Sequence, residues 1–514
     1  MPADRVVVVG AGIGGLAAAL DLAVKGVRVT VVERAATPGG KLRQVAVGEA
    51  RIDAGPTVFT LRRVFEELFA DAGADLASHV TLRPAATLAR HAWGPDERLD
   101  LFADIDRSAD AIGAFAGAAE ATGYRAFCAR AQRMYQTLDH AFMRAPRPSS
   151  PLGLIGRAPT ADLLRISPFA TLWGALGEFF RDPRLRQLFG RYSTYCGASP
   201  YLAPATLMLI AHAERDGVWL VDGGMIRLAT ALAGLAAAHG VEFRYGASVD
   251  QVVVADGRAT GVRLGSGEHI DADAVVVNAD TAAVTTGLFG RDAARAVPDT
   301  GASRSLSAVT WAMAAPTEGF PLLRHNVFFS DDYAAEFDAI FRHARLPGAP
   351  TIYVCAQDRD DAGAGPDGPE RLLCLVNAPP AGDRRPFDTT EIDPCATRTF
   401  QHLERCGLRI LRRPETTAVT TPADFHRLFP ATGGALYGPA MHSAMAPFRR
   451  PGSRSRIPNL YLAGGSTHPG AGVPMAALSG RQAAASLLAD LAAVRPASTN
   501  PSRRAATRGG TSMR

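Results

Sequence analysis

The stretch from Val6 to Glu33, VVVVGAGIGGLAAALDLAVKGVRVTVVE, leaves very few folds open. Val6 to Val9 is a β-branched run that suits a strand buried on both faces. Gly10-Ala11-Gly12-Ile13-Gly14-Gly15 follows, and Gly10, Gly12 and Gly15 fill a G-x-G-x-x-G pattern. Gly10 permits a tight turn, Gly12 lets backbone approach a pyrophosphate, and Gly15 lets a helix pack closely on the strand. The Ala- and Leu-rich segment from Leu16 to Lys25 is the predicted helix, with Gly26 as its cap. Its N-terminus offers free N–H groups and a partial positive charge to a diphosphate. A second strand, Val27 to Val32, ends at Glu33, whose carboxylate can accept both ribose hydroxyls of an adenosine. That acid would repel a 2′-phosphate, which disfavours NADP. A secretory signal peptide also has an apolar core, but here glycines interrupt the core, and Asp21, Lys25 and a second strand follow.

The rest of the chain narrows the class. At 514 residues it predicts two or more domains. The net charge of +5 resides in the last segment, where Arg495, Arg503, Arg504, Arg508 and Arg514 follow Leu491 with no acid among them. The body is therefore near neutral, and no nucleic-acid partner is indicated. Residues 491–514 read as a disordered basic tail. The six cysteines form no C-x-x-C pair and no metal-ligand spacing, so free thiols are expected and no metal. No apolar run is long enough for a transmembrane helix.

Two elements after Glu33 go beyond a plain NAD-binding unit: Gly39-Gly40-Lys41, where Lys41 can reach a phosphate, and the turn-rich Asp53-Ala54-Gly55-Pro56-Thr57. A bound FAD, longer and more deeply enclosed, explains both. Residues 76–222 read as mainly helical, with helices predicted from Ala109 to Ala121 and from Arg125 to Phe142, then a Pro/Arg-rich break from Arg144 to Pro151. Aromatic and apolar residues gather next, among them Phe169, Trp173, Phe179, Phe180, Phe189, Tyr192, Tyr195, Tyr201, Leu207 and Trp219. They fit either an ordinary helical core or the lining of a long apolar cavity. At Gly223-Gly224 the α/β pattern returns, with a helix from Ile226 to His239 and a strand from Val241 to Tyr245. Short strands follow from Val249 to Val254, Ala259 to Leu264, Glu268 to Ala272 and Ala274 to Val277. Residues 301–414 are a further, mixed insertion. The last unit is a strand from Leu460 to Ala463, a Gly-rich loop and a helix. The expected fold class is α/β: a discontinuous Rossmann-type FAD domain (1–75, 223–300, 415–490) with an inserted substrate and membrane-facing domain (76–222, 301–414).

The chain resembles the FAD-dependent carotenoid desaturases of the bacterial phytoene-desaturase type, nearly end to end. The resemblance rests on Gly10 to Gly15 with Glu33, Gly39-Gly40-Lys41, Asp53-x-Gly55-Pro56-Thr57, Gly223-Gly224, Asn278-Ala279-Asp280 and Gly464 through Pro474. That family usually continues Ile-Pro-Gly where this chain has Val473-Pro474-Met475. This variant, with the segments from Arg191 to Tyr201 and from Gly217 to Trp219, is similar to the 1-hydroxycarotenoid 3,4-desaturase branch. The resemblance implies a flavin amine oxidase-like fold and an acyclic carotenoid substrate. It also implies a peripheral place on the cytoplasmic side of the inner or photosynthetic membrane, in contact with lipid. Oxygen or a quinone would accept the electrons. Gly10, Gly12, Gly15, Glu33, Gly40, Lys41, Gly55, Val249, Gly465, Val473, Pro474 and Met475 would form the cofactor site.

The implied reaction removes a hydride from C4 and a proton from C3 of a 1-hydroxy end group. The polyene delocalises the charge, so the enzyme chiefly positions its substrate. No strong base is required. Asp216 and Glu214 are candidate acids in Ala213-Glu-Arg-Asp-Gly-Val-Trp219, although solvated carboxylates would look the same. His468 reads as a turn histidine holding Pro469 rather than a base. Phytoene desaturation, flavin amine oxidation and a non-enzymatic binding role are the competing functions.

Overall fold

A computed structural model describes residues 4–148, 153–154 and 169–494. The valine run becomes strand β1 (Arg5–Val9), followed by helix α1 (Ile13–Val24) and strand β2 (Arg28–Val32). Five parallel strands run in the order Leu460–Leu462, Ala274–Val277, β1, β2, Glu242–Arg244. Alternate β1 side chains serve opposite faces. Val6 and Val8 pack towards α1, while Val7 and Val9 pack with Val252, Val262 and Leu264 of a three-stranded antiparallel sheet. An unbroken valine run is what a strand covered on both sides needs, and each buried side chain contributes roughly 1.5 kcal/mol. Helix α1 lies between the helices Ile226–Ala238 and Val473–Val494.

Helix α1 begins at Ile13, earlier than the predicted Leu16, so Gly14 and Gly15 lie inside it. The crossing of helix and strand explains why. A Cβ on Gly15 would sit 2.1 Å from the Gly10 carbonyl oxygen.

The second sheet has seven strands, in the order Thr417–Thr420, Ser307–Ala315, Glu370–Ala378, Ile352–Ala356, His325–Phe328, Thr87–Ala92, Arg98–Phe102. Val309, Trp311, Ile352, Val354, Cys374 and Val376 on one face pack with Ile392, Phe400 and Leu403 of the helix Thr389–Arg405. The other face turns towards α1 and encloses a cavity.

Several sequence expectations are corrected here. The first insertion is not only helical, because Thr87–Ala92 and Arg98–Phe102 extend the second sheet. Thr417–Thr420, grouped by sequence with the first domain, also pairs in that sheet. The predicted helix from Ala109 to Ala121 is split between Ile105–Ala116 and Ala118–Leu138, because Gly117 adopts φ +102°. Leu491–Val494 complete the last helix rather than a tail. Residues 495–514 and part of the Pro-rich break, 149–151, lie outside the described residues. Among the described residues no helix is long and apolar enough to cross a membrane. The same residues contain no cluster that could hold a metal ion, and the cysteines are free thiols.

Candidate active site

The cavity measures about 1740 Å³. Sites for a single drug-sized ligand occupy roughly 300–1,000 Å³, so there is room for a dinucleotide and a second long molecule. At one end lies a cradle made of backbone. The N-cap of α1, Gly12, carries no side-chain cap, so the helix presents its first N–H groups to the cavity. Asn278 organises the surrounding glycines. A Cβ on Gly10 would meet its carbonyl oxygen at 2.8 Å, and Cβ atoms on Gly12, Gly14 and Gly464 would meet its side-chain amide at 2.8, 2.7 and 2.9 Å. The Asn278 amide also donates to the Gly10 carbonyl at 3.3 Å. Gly39 donates to the Ala11 carbonyl, and Gly40 approaches Gly12 so closely that its Cβ would stand 3.2 Å from the Gly12 Cα.

Glu33 is buried at the end of β2, where its carboxylate accepts from the Ala11 N–H at 2.7 Å and the Ala35 N–H at 2.8 Å. Ala247 donates to the Glu33 carbonyl, which brings Ser248 and Val249 to the same cavity wall. Lys41 stands on the wall, donates from Nζ to the Leu436 carbonyl at 2.5 Å, and lies 5.3 Å from the centre of the Phe429 ring. Burial pushes its pKa down, opposed by Asp280. Gly55 packs so tightly on Lys41 that a Cβ would overlap the Lys41 carbonyl oxygen at 1.8 Å.

Gly465, Val473, Pro474 and Met475 line the cavity where the Gly-rich loop enters the last helix. Gly465 is fixed by Arg450, which is 3% exposed. One of its amino groups donates to the Gly465 carbonyl at 2.7 Å, and the other to the Tyr437 and Pro439 carbonyls. Sequence reasoning did not single out Arg450, and it gave Asn278 no role of its own. Their work depends on segments that meet only in the folded chain.

The opposite half of the cavity is apolar. The second sheet presents Thr310, Tyr353, Leu373, Leu375 and Asn377 to it, and the helical insertion adds Tyr195, Leu207 and Ile210. Both readings of the aromatic group hold in part. Phe127, Phe179, Phe180 and Phe189 pack on one another in the core, whereas Phe169, Tyr195 and Leu207 reach the cavity.

The glycine cradle fits a diphosphate, and Glu33 at its far edge fits a ribose diol. A single family description covers most of the chain: residues 13–488 match the flavin containing amine oxidoreductases. Over 514 residues the chain is 57% identical to a hydroxyneurosporene desaturase of Rubrivivax gelatinosus, covering 99% of this chain and 97% of that protein. The chain belongs to the carotenoid desaturases. A second such relative, the hydroxyneurosporene desaturase of Cereibacter sphaeroides, is 48% identical over 95% of this chain and 98% of its own length. The fold is shared with a cyclohexylamine oxidase of Brevibacterium oxydans at 16% identity and a TM-score of 0.57, over 96% of this chain and 100% of that one.

As a carotenoid desaturase the protein is an FAD-dependent oxidoreductase of carotenoid biosynthesis. The structure brings Gly10, Gly12, Glu33, Gly40, Lys41, Gly55, Val249, Gly465, Val473, Pro474 and Met475 to one cavity wall. Gly15 lies behind the wall against Gly10. The two candidate acids separate. Asp216 is exposed at the end of the helix Leu209–Arg215, whereas Glu214 is buried and bonded to Tyr192 and Tyr195. Solvation therefore describes Asp216 and fails for Glu214. His468 is buried, with Nε2 facing the Phe142 and Ala145 carbonyls at 2.9 and 3.1 Å. Burial pushes its pKa down to about 4, so the ring is neutral and ties the Gly-rich loop to the end of the long helix.

Proposed function

We propose that the chain introduces a C3–C4 double bond into acyclic 1-hydroxy or 1-methoxy carotenoids such as 1-hydroxyneurosporene. The observation that carries this reading is the continuity of the cavity, which runs from the glycine cradle into the apolar half without a dividing wall. The name of the Rubrivivax gelatinosus relative supports the choice of end group. The α1 N-terminus with Gly10, Gly12 and Gly14 would hold the FAD diphosphate, Glu33 the ribose, and Val249 the adenine side. Gly40 and Lys41 would stand by the diphosphate, and Gly55, Gly465, Val473, Pro474 and Met475 would surround the ring. Bound FAD would supply a two-electron acceptor for the hydride, with oxygen or a quinone as the candidate final acceptor.

The protein's own part is to exclude water and fix the register of the polyene. The substrate already resides in lipid, so moving it into an apolar cavity gains little of the roughly 0.8 kcal/mol that each CH₂ would gain on leaving water. Shape and polar contacts must set the register. Phe169, 90% exposed, and Met445, 40% exposed, are cavity-lining residues that reach the surface. They mark an apolar mouth through which a membrane-borne chain would enter, with the protein held peripherally on the lipid surface. Co-expression with a pathway making either phytoene or the 1-hydroxy carotenoid, followed by pigment chromatography, tests the reading. One new double bond in the hydroxylated polyene is expected, with phytoene poorly used. Phytoene carried through several desaturations while the hydroxylated polyene is untouched would replace it with phytoene desaturation.

A further inference from the structure

Arg191 places a guanidinium in the wall of a cavity otherwise suited to hydrocarbon. A charge in such a place is costly unless it is paired. The nearby acid is Glu214, which accepts from the Tyr192 hydroxyl at 2.5 Å and the Tyr195 hydroxyl at 2.6 Å. Among the described residues, Arg191 reaches the Tyr195 oxygen only at 3.4 Å, and its ring contact with Tyr195 is 5.2 Å. Its Nε is buried with no partner. A guanidinium has five N–H donors, and these contacts leave most of them unused. Burial alone would lower the Arg191 pKa, but Tyr195 and Glu214 more than reverse this, so the charge persists.

The position relative to the cofactor end matters as much as the charge. Tyr195 and Tyr353 line the same cavity. The Tyr353 hydroxyl is 2.7 Å from the Thr57 hydroxyl and 2.7 Å from His325 Nδ1. Thr57 follows Gly55, which packs on Lys41. On the other side, Gly197 packs so closely on Tyr437 that a Cβ would stand 2.5 Å from its ring, and Arg450 holds the Tyr437 and Gly465 carbonyls together. Arg191 thus belongs to the cofactor end of the apolar half. A terminal oxygen on C1 is only two and three carbons from the reacting C3 and C4, so its receptor must lie at that end.

We infer that Arg191, positioned by Tyr195 and through it by Glu214, donates a hydrogen bond to the terminal oxygen of the substrate. The inference rests on the function proposed above and names the group that reads the end of the polyene. An arginine donates and never accepts. It therefore serves a hydroxyl and a methyl ether alike, since both oxygens accept, and a plain hydrocarbon end leaves it unpaired. Glu214 is a positioning residue, because Tyr195 stands between it and the cavity.

The test compares kcat/KM for three polyenes of equal conjugation, ending in a 1-hydroxyl, a 1-methoxyl and no oxygen. Wild type favours both oxygenated substrates. In Arg191→Met the preference for the oxygenated polyenes over the hydrocarbon falls by ~10- to 150-fold, the effect of one charge-assisted hydrogen bond. Arg191→Lys recovers part of it. Tyr195→Phe keeps ring and charge, lowers the preference by ~2- to 10-fold, and carries the test if Arg191→Met fails to retain flavin. A wild-type preference that survives in these variants overturns the inference and leaves the parent function standing. Acceptance of the hydroxyl with rejection of the methoxyl also overturns it, since an acceptor would then be reading the end. A wild type with no preference for oxygen overturns both.

Discussion

At the cofactor end of the cavity, glycines from two separate segments, 10–15 and 464, crowd around the backbone and the side-chain amide of Asn278. At the other end, strands of the second sheet and a helical insertion present side chains, and few of their contacts are local in sequence. An added carbon would press on main chain at Gly10, Gly15 and Gly55 and on the Asn278 amide at Gly12, Gly14 and Gly464. The apolar wall is set by side chains and can vary while the backbone stays. The difference teaches which half a sequence can be expected to change when substrates diverge.

The sharpest way to break this contrast is at Gly15. Alanine there would meet the Gly10 carbonyl at 2.1 Å, and we expect a loss of at least ~4 kcal/mol with no retained flavin, read by Tm and flavin absorbance. Gly26→Ala meets nothing within 4 Å and is strained only by its φ of +80°, at about 1 kcal/mol. Equal effects at the two positions would contradict a crowded cradle.

The wall also holds a titratable group. Glu336 lies behind the cavity-lining Asn377 and accepts from it at 3.1 Å and from Thr351 N–H and hydroxyl at 3.0 and 2.7 Å. Burial raises its pKa to about 7, with the Thr351 and Asn377 bonds opposing. A raised carboxyl pKa favours the folded state when protonated, so this contribution is complete below the unfolded value and is lost as pH rises through 7. Between pH 5 and pH 8 the group should remove about 2 to 3 kcal/mol of stability. Urea midpoints should show Glu336→Gln without that part of the slope, and identical slopes would refute the assignment.

Returning to the cradle, Glu33→Ala removes a carboxylate that serves two backbone amides and, by the proposal, a ribose. FAD affinity should fall roughly tenfold or more, the loss expected for charge-assisted bonds, as measured by flavin fluorescence. The smallest effect belongs to the rim of the wall. Phe169→Ala should weaken binding to lipid vesicles by about fivefold, from the loss of an apolar side chain at the mouth. Unchanged sedimentation with vesicles would remove Phe169 from the docking surface.

How much was legible in sequence follows the same division. The strand, the glycine loop, α1 and Glu33 are specified within one short stretch, so the local pattern sufficed. Thr87–Ala92 forms a hairpin with Arg98–Phe102, and its place in the sheet depends on a parallel partner, His325–Phe328, from the other insertion. The Gly117 break was missed because apolar spacing continues on both sides of it, and a positive φ leaves no mark on that periodicity. Glu214 looked solvated beside Arg215 and Asp216, and only the fold brings Tyr192 and Tyr195 to it. Arg450 and Asn278 act on main chain from distant segments, which no spacing rule reports.

The most direct measurement of the central claim is an anaerobic mixture of the FAD-loaded protein with 1-hydroxyneurosporene, following flavin absorbance and polyene products together. The account predicts bleaching of the flavin and one equivalent of C3–C4 dehydrogenated product per flavin. Product formed without bleaching, or bleaching by a primary amine with the polyene unchanged, would contradict it.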